Sequence, residues 1–152
     1  MRTPFLTLVA ALVFAVPAAA QRAHIGAHAG YQFDANEALV GGQMTLPASR
    51  FVELYPSLDV YLVDTGSLLA FNGDLNLRLT PGAPLQLYAG GGINVLRRRG
   101  SGGGSATTDT GFDLLAGVES RRGGVHTYVE GRWLVHNATA FQVNAGLNLT
   151  LF

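Results

Sequence analysis

His24 and His28 stand four residues apart, the spacing that brings two imidazoles onto one metal when it falls on a helix. On a strand the same two residues share a face but lie roughly 13 Å apart. That is too far for joint chelation, so no metal site is expected there. The glycine runs Gly90-Gly91-Gly92 and Gly102-Gly103-Gly104 would cradle a phosphate only where they open a helix, and neither does. Ser120, Thr139, His126, His136, Glu119 and Glu130 supply the side-chain types of a hydrolytic site. Such a site needs a nucleophile beside a base that a carboxylate orients. Arg97-Arg98-Arg99 offers a different chemistry: three guanidinium forks that match phosphate oxygens. What any of these groups does depends on the elements that carry them.

Those elements read as strands. Alternation of apolar and polar residues runs through the chain from position 24 onward, and helical periodicity is nearly absent. Leu69, Phe71, Gly73, Leu75, Leu77 and Leu79 interleave with Ala70, Asn72, Asp74, Asn76 and Arg78. Leu85, Leu87, Ala89, Gly91, Ile93 and Val95 interleave with Gln86, Tyr88, Gly90, Gly92 and Asn94. Phe141, Val143, Ala145, Leu147, Leu149 and Leu151 interleave with Gln142, Asn144, Gly146, Asn148 and Thr150. Weaker stretches at 24–33, 39–46, 51–60, 112–119 and 125–133 bring the expectation to eight strands. Most have the 9–11 residues, or nearly so, that a tilted strand needs to cross a bilayer.

Turn residues separate them. Short turns are expected at 47–49, 80–84 and 122–124, and others at 34–38, 61–66 and 136–139. The longest loop is expected over 96–109, beginning at the Arg97–Arg99 run. An up-and-down meander puts the three short turns on one side and the long loop on the other.

Composition agrees with strands in lipid. Of 152 residues only 13% are charged, all ten basic residues are Arg, 20 residues are Gly, and 48% are hydrophobic. A water-facing surface would carry more charge. Net charge is zero, giving no field to recruit nucleic acid, and there is no Cys for a disulfide or thiolate site. Met1-Arg2, an apolar run from Phe5 to Val16, Pro17 and Ala18-Ala19-Ala20 have the order of a cleaved signal peptide over 1–20. A mature domain over 21–152 would follow.

Alternation alone does not say which face is inside. The polar face carries single charges of both signs: Glu53, Asp59, Asp74, Arg78, Asp113, Glu119, Glu130 and Arg132. Opposite charges of this kind can pair within a narrow lumen. The apolar faces carry none, as lipid requires, since an outward Arg at the bilayer midplane costs about 2–4 kcal/mol. The expectation is therefore a transmembrane barrel with these eight residues as a lumen network. A soluble lipocalin-like barrel binding an apolar ligand is the reverse arrangement. Trp133, Tyr31, Phe33 and Tyr55 are candidate membrane-interface anchors.

The chain resembles the small outer-membrane β-barrel proteins of the OmpA/OmpX and opacity-protein type over nearly all of its mature length. The resemblance rests on Leu87-Tyr88-Ala89-Gly90-Gly91-Gly92-Ile93, on Tyr128-Val129-Glu130-Gly131-Arg132-Trp133, and on the closing stretch Ala145 to Phe152. It implies an all-β, antiparallel up-and-down barrel of about eight strands in a Gram-negative-type outer membrane. In that family a terminal aromatic residue, with apolar residues two, four and six positions earlier, helps the barrel-assembly machinery recognise the last strand. Here Leu147, Leu149, Leu151 and Phe152 are the expected signal, with the leucines one position out of that phase. The stretch 132–140 is also similar to a lipid A deacylase pattern, His followed by Ser-Asn, but Ala138 and Thr139 stand in those places. No catalytic residue, cofactor or enzyme activity is therefore expected, with a lipid A or phospholipid hydrolase as the alternative. The expected partners are outer-membrane lipid and lipopolysaccharide, the latter through Arg97, Arg98 and Arg99. The protein is expected to be a monomer that binds no nucleic acid.

Overall fold

In a computed structural model that describes residues 22–102 and 105–151, the chain forms a closed barrel of eight antiparallel strands in sequence order. They are β1 (His24–Gln32), β2 (Glu37–Pro47), β3 (Val52–Tyr61), β4 (Ser67–Arg78), β5 (Leu85–Arg99), β6 (Thr107–Arg122), β7 (Val125–Val135) and β8 (Thr139–Thr150). Each pairs with its neighbour, and β1 closes the ring on β8 from His24↔Thr150 to Gln32↔Gln142. Closure leaves no strand edge unpaired, which is what makes a sheet tolerable in lipid. The expected signal peptide lies outside the described residues, as does Phe152.

The alternation sorts as the polar and apolar faces require. Phe71, Leu75, Leu77, Leu87, Ile93, Leu114, Val129, Leu147 and Leu149 are exposed on the outer wall. Glu53, Asp59, Asp74, Asp113, Glu119, Glu130 and Arg132 are buried inside it. This is the reverse of a lipocalin-like barrel: the apolar side chains face out and the lumen is polar. Outward charges within the strands are confined to the rims, at Arg97, Arg99 and Arg122. Tyr31, Phe33, Phe141 and Trp133 form one outer cluster, with ring centroids 4.9–5.9 Å apart in successive pairs. Aromatic rings gathered at one level, Tyr31 and Trp133 among them, suit a membrane interface. Tyr55, expected among these anchors, points inward and is 4% exposed. Its neighbours Glu53 and Ser57 share that inner face.

The longest loop is shorter than its sequence suggests. Residues 96–99 extend β5 and 107–109 extend β6, so the connection is only 100–106. Arg97 faces Thr108 and Arg98 faces Thr107 across the ladder, while Ser67, Leu68 and Leu69 of β4 face Arg99, Arg98 and Arg97. Arg97–Arg99 therefore sit on a strand at the rim rather than at the start of a free loop.

Two local features set the register. Gly123, with φ of 76°, turns β6 into β7 over two residues, so that Arg122 faces Val125. At Gly92 a side chain would run into the Gly73 carbonyl and Asp74 across the ladder. The glycine run in β5 thus lets adjacent strands and their lumen side chains close up.

Candidate functional site

An eight-strand barrel has an interior just wide enough to be filled by side chains, and three levels fill this one. At the end carrying loops 33–36, 62–66, 100–106 and 136–138, the filling is apolar. Leu39, Tyr61, Leu68 and Ala70 point inward and pack together, with Val63 and Leu96 against them. The alternating pattern puts Leu39, Leu68 and Ala70 on the otherwise polar face.

The middle is ionic. Arg132 is buried and reaches three carboxylates: Asp74 (Nη1–Oδ2 2.9 Å), Glu130 (Nη2–Oε1 3.2 Å) and Asp113. The Tyr88 hydroxyl donates to Glu130 Oε2 at 3.1 Å, and Tyr88 packs with Tyr55 and Leu115. A second chain of hydrogen bonds runs from strand to strand around the lumen. Asn94 donates to Asn72, and Asn72 donates to Ser57 (2.9 Å) and Asp59 (3.0 Å). His28 lies between Asp59 (2.8 Å) and Gln43 (2.6 Å). Gln43 donates to Asn148 (2.8 Å), and Asn148 to Glu119 (3.0 Å). Buried polar groups stabilise when satisfied in this way and cost heavily otherwise.

At the third level, the end where the described chain begins and finishes, the carboxylates meet arginines. Glu53 pairs with Arg78 and with Arg121 (3.1 Å), and Arg121 also holds Glu119 (2.6 Å). His126 Nδ1 is 3.5 Å from Glu119, and its ring lies 4.9 Å from that of His24. Between this level and the tyrosines the free space is only about 10 Å³, room for about one water.

The eight expected lumen residues therefore face inward, but not as one network. Asp74, Asp113, Glu130 and Arg132 form one cluster; Glu53, Arg78 and Glu119 form another, to which Asn148, Gln43 and His28 link Asp59. Sequence reasoning missed Arg121, which bridges Glu53 and Glu119. Its signal was its parity with Glu119, obscured by the turn that follows. Gln43, Asn72, Asn148 and the inward tyrosines were also missed as linking residues; alternation marked their face but not their partners.

The hydrolase set is not brought together. His126 faces the lumen at one end while Ser120 lies on the outward-facing side of β6, opposite Thr127. His136 lies at the other end, in the turn before Thr139. His24 and His28 engage different partners at different levels. Arg98 and Arg99 line a recess of about 380 Å³ with Glu37 and Asp64. Leu147 and Leu149 project outward on β8; Leu151 follows the strand and donates its N–H to the Ala23 carbonyl at 2.8 Å.

The architecture is that of the small eight-strand outer-membrane barrels. The N-terminal β-barrel domain of Pseudomonas aeruginosa OprF superposes with a TM-score of 0.73 at 18% identity, over 86% of this chain and 97% of that one. Neisserial surface protein A matches with a TM-score of 0.66 at 14% identity, over 86% and 96%. The attachment invasion locus protein Ail of Yersinia pestis matches with a TM-score of 0.59 at 10% identity, over 86% and 97%. No family model matches the sequence, and no curated protein matches it.

Proposed function

We propose that this chain is an outer-membrane barrel with a side-chain-filled lumen. It serves envelope structure or surface interaction through its loop end, and it is neither a porin nor an enzyme. The observation that carries this reading is the division of faces. An uncharged apolar wall of exposed Phe, Leu, Ile and Val encloses a lumen of paired charges closed by Leu39, Tyr61 and Leu68. In water such a wall would be an aggregation surface far larger than monomeric proteins expose; in lipid it is the expected exterior. The packed lumen supports the non-porin part of the reading. The separation of Ser120 from His126 supports the non-enzymatic part.

On this reading Arg97, Arg98 and Arg99 sit on the external rim, where lipopolysaccharide phosphates lie within reach of their forks. Leu147, Leu149, Leu151 and Phe152 serve the assembly machinery, and the barrel is a monomer with no nucleic-acid partner.

The test is fractionation of expressing cells, with boiled and unboiled samples of the membranes run side by side. Recovery with outer membranes and a band that moves on boiling is the expected result. Recovery in the soluble periplasmic extract without a shift would contradict it, as would steady porin-like conductance of the purified protein.

A further inference from the structure

The arginines are unevenly placed along the barrel. Arg22, Arg50, Arg78, Arg121 and Arg122 gather at the end where the described chain begins and finishes, with Glu53 and Glu119 as the carboxylates nearby. The middle has the opposite balance, with Arg132 against Asp59, Asp74, Asp113 and Glu130. This end is also where the lumen opens. A cavity of about 510 Å³ is lined by Arg22, His24, Arg50, Arg78, Arg121 and His126, with prolines 47 and 81 at its margin. That volume falls within the range of small-molecule sites. Glu53 and Glu119 lie beneath it, lining the roughly 10 Å³ gap below. Guanidinium groups therefore predominate in the open space.

Two polar atoms on this lining are unused. His24 Nδ1 and Arg78 Nε are buried without a hydrogen-bond partner, and His24 is only 5% exposed. Buried polar atoms without partners are uncommon, because each costs the desolvation it never recovers. Arg78 Nε can only donate, and a ring nitrogen of His24 can donate, so a turn of either side chain toward the cavity brings an unused donor to an acceptor-rich ligand. Four guanidinium groups and two imidazoles converging on a concave space make a site for a multiply charged oxyanion.

We propose that this mouth binds a small phosphorylated solute, a phosphate monoester or pyrophosphate on a polar body. The phosphate oxygens accept from Arg78, His24 and the flanking arginines. The wall separates the cavity from the lipid around the barrel, which favours a soluble ligand over a lipid headgroup of the same chemistry. The site is at the opposite end from Arg97–Arg99 and does not depend on any role for that rim.

The experiment is titration of the folded full barrel, in zwitterionic detergent at low salt, with glucose 1-phosphate and with pyrophosphate. Binding is read by calorimetry and by NMR of the histidine rings. Saturable binding is expected, with shifts at His24 and His126 and not at His136. Affinity should fall at least tenfold in Arg22→Ala/Arg121→Ala and be largely kept in Arg22→Lys, with the boiling shift intact in both. Competition by added phosphatidylglycerol would assign the same site to a lipid headgroup; absence of competition assigns it to a soluble phosphate. No saturable binding up to 10 mM (roughly the weakest useful affinity, a Kd beyond the millimolar scale) would overturn the proposal. So would binding unchanged in the folded double variant.

Discussion

The middle of the lumen and its open mouth use the same residue types to different ends. In the middle, Arg132 is buried among Asp74, Asp113 and Glu130, with Tyr88 donating to one of them. At the mouth, Arg121 also holds two carboxylates, Glu53 and Glu119, yet its side chain is 18% exposed and borders a cavity of about 510 Å³. Burial decides what each arginine is worth. A charge left unpaired in a closed interior costs several kcal/mol, whereas one at a hydrated rim is solvated by water at little cost. The middle closes the lumen with paired charges, and at the mouth the ion pairs border open space.

The widest break in that comparison should come from Arg132→Ala, which strands three buried carboxylates and is expected to cost about 3–5 kcal/mol. Urea unfolding of the protein in thin bilayers measures it. Val129, 52% exposed on the outer wall midway along β7, tests the other side of the same level. Val129→Arg should cost about 2–4 kcal/mol in bilayers, and much less in a detergent micelle that deforms around it. Leu39→Ala opens the apolar plug and should cost about 2 kcal/mol, the low end for a buried leucine because it lies near the barrel rim. The same variant should raise conductance only slightly, since the ionic middle still fills the lumen. Arg121→Ala sharpens the contrast with Arg132 and should cost less, about 1–2 kcal/mol, because Glu53 keeps Arg78 and Glu119 keeps Asn148; a loss equal to that of Arg132→Ala would mean the mouth is as closed as the middle.

The strands and their facing were legible because one physical rule governs both. A wall one residue thick, with an apolar outer face and a narrow polar lumen inside, forces period-two alternation, as in Phe71 to Leu77 of β4. The rule fails where both faces meet water. Arg97 to Arg99 and Thr107 to Asp109 are exposed whichever way they point, so alternation vanishes there and a strand hairpin reads as a loop. It fails again at Leu39, Leu68 and Ala70, apolar residues turned inward to plug one end. Tyr55 was legible as inward from its neighbours, but its aromatic ring suggested an interface anchor. The partners of Arg121, His28 and Gln43 were not legible, because they are set by strand tilt and stagger around the ring rather than by spacing along the chain.

The account rests on the apolar wall lying in lipid, and the single tryptophan tests it most directly. Trp133 is on that wall, packed against Phe141 with ring centroids 4.9 Å apart. Its fluorescence should be quenched when the barrel is reconstituted in bilayers of brominated lipid, and largely shielded from aqueous iodide. Full iodide quenching with no effect of the brominated chains would put that face in water, and the reading of this chain as a lipid-embedded barrel would be wrong.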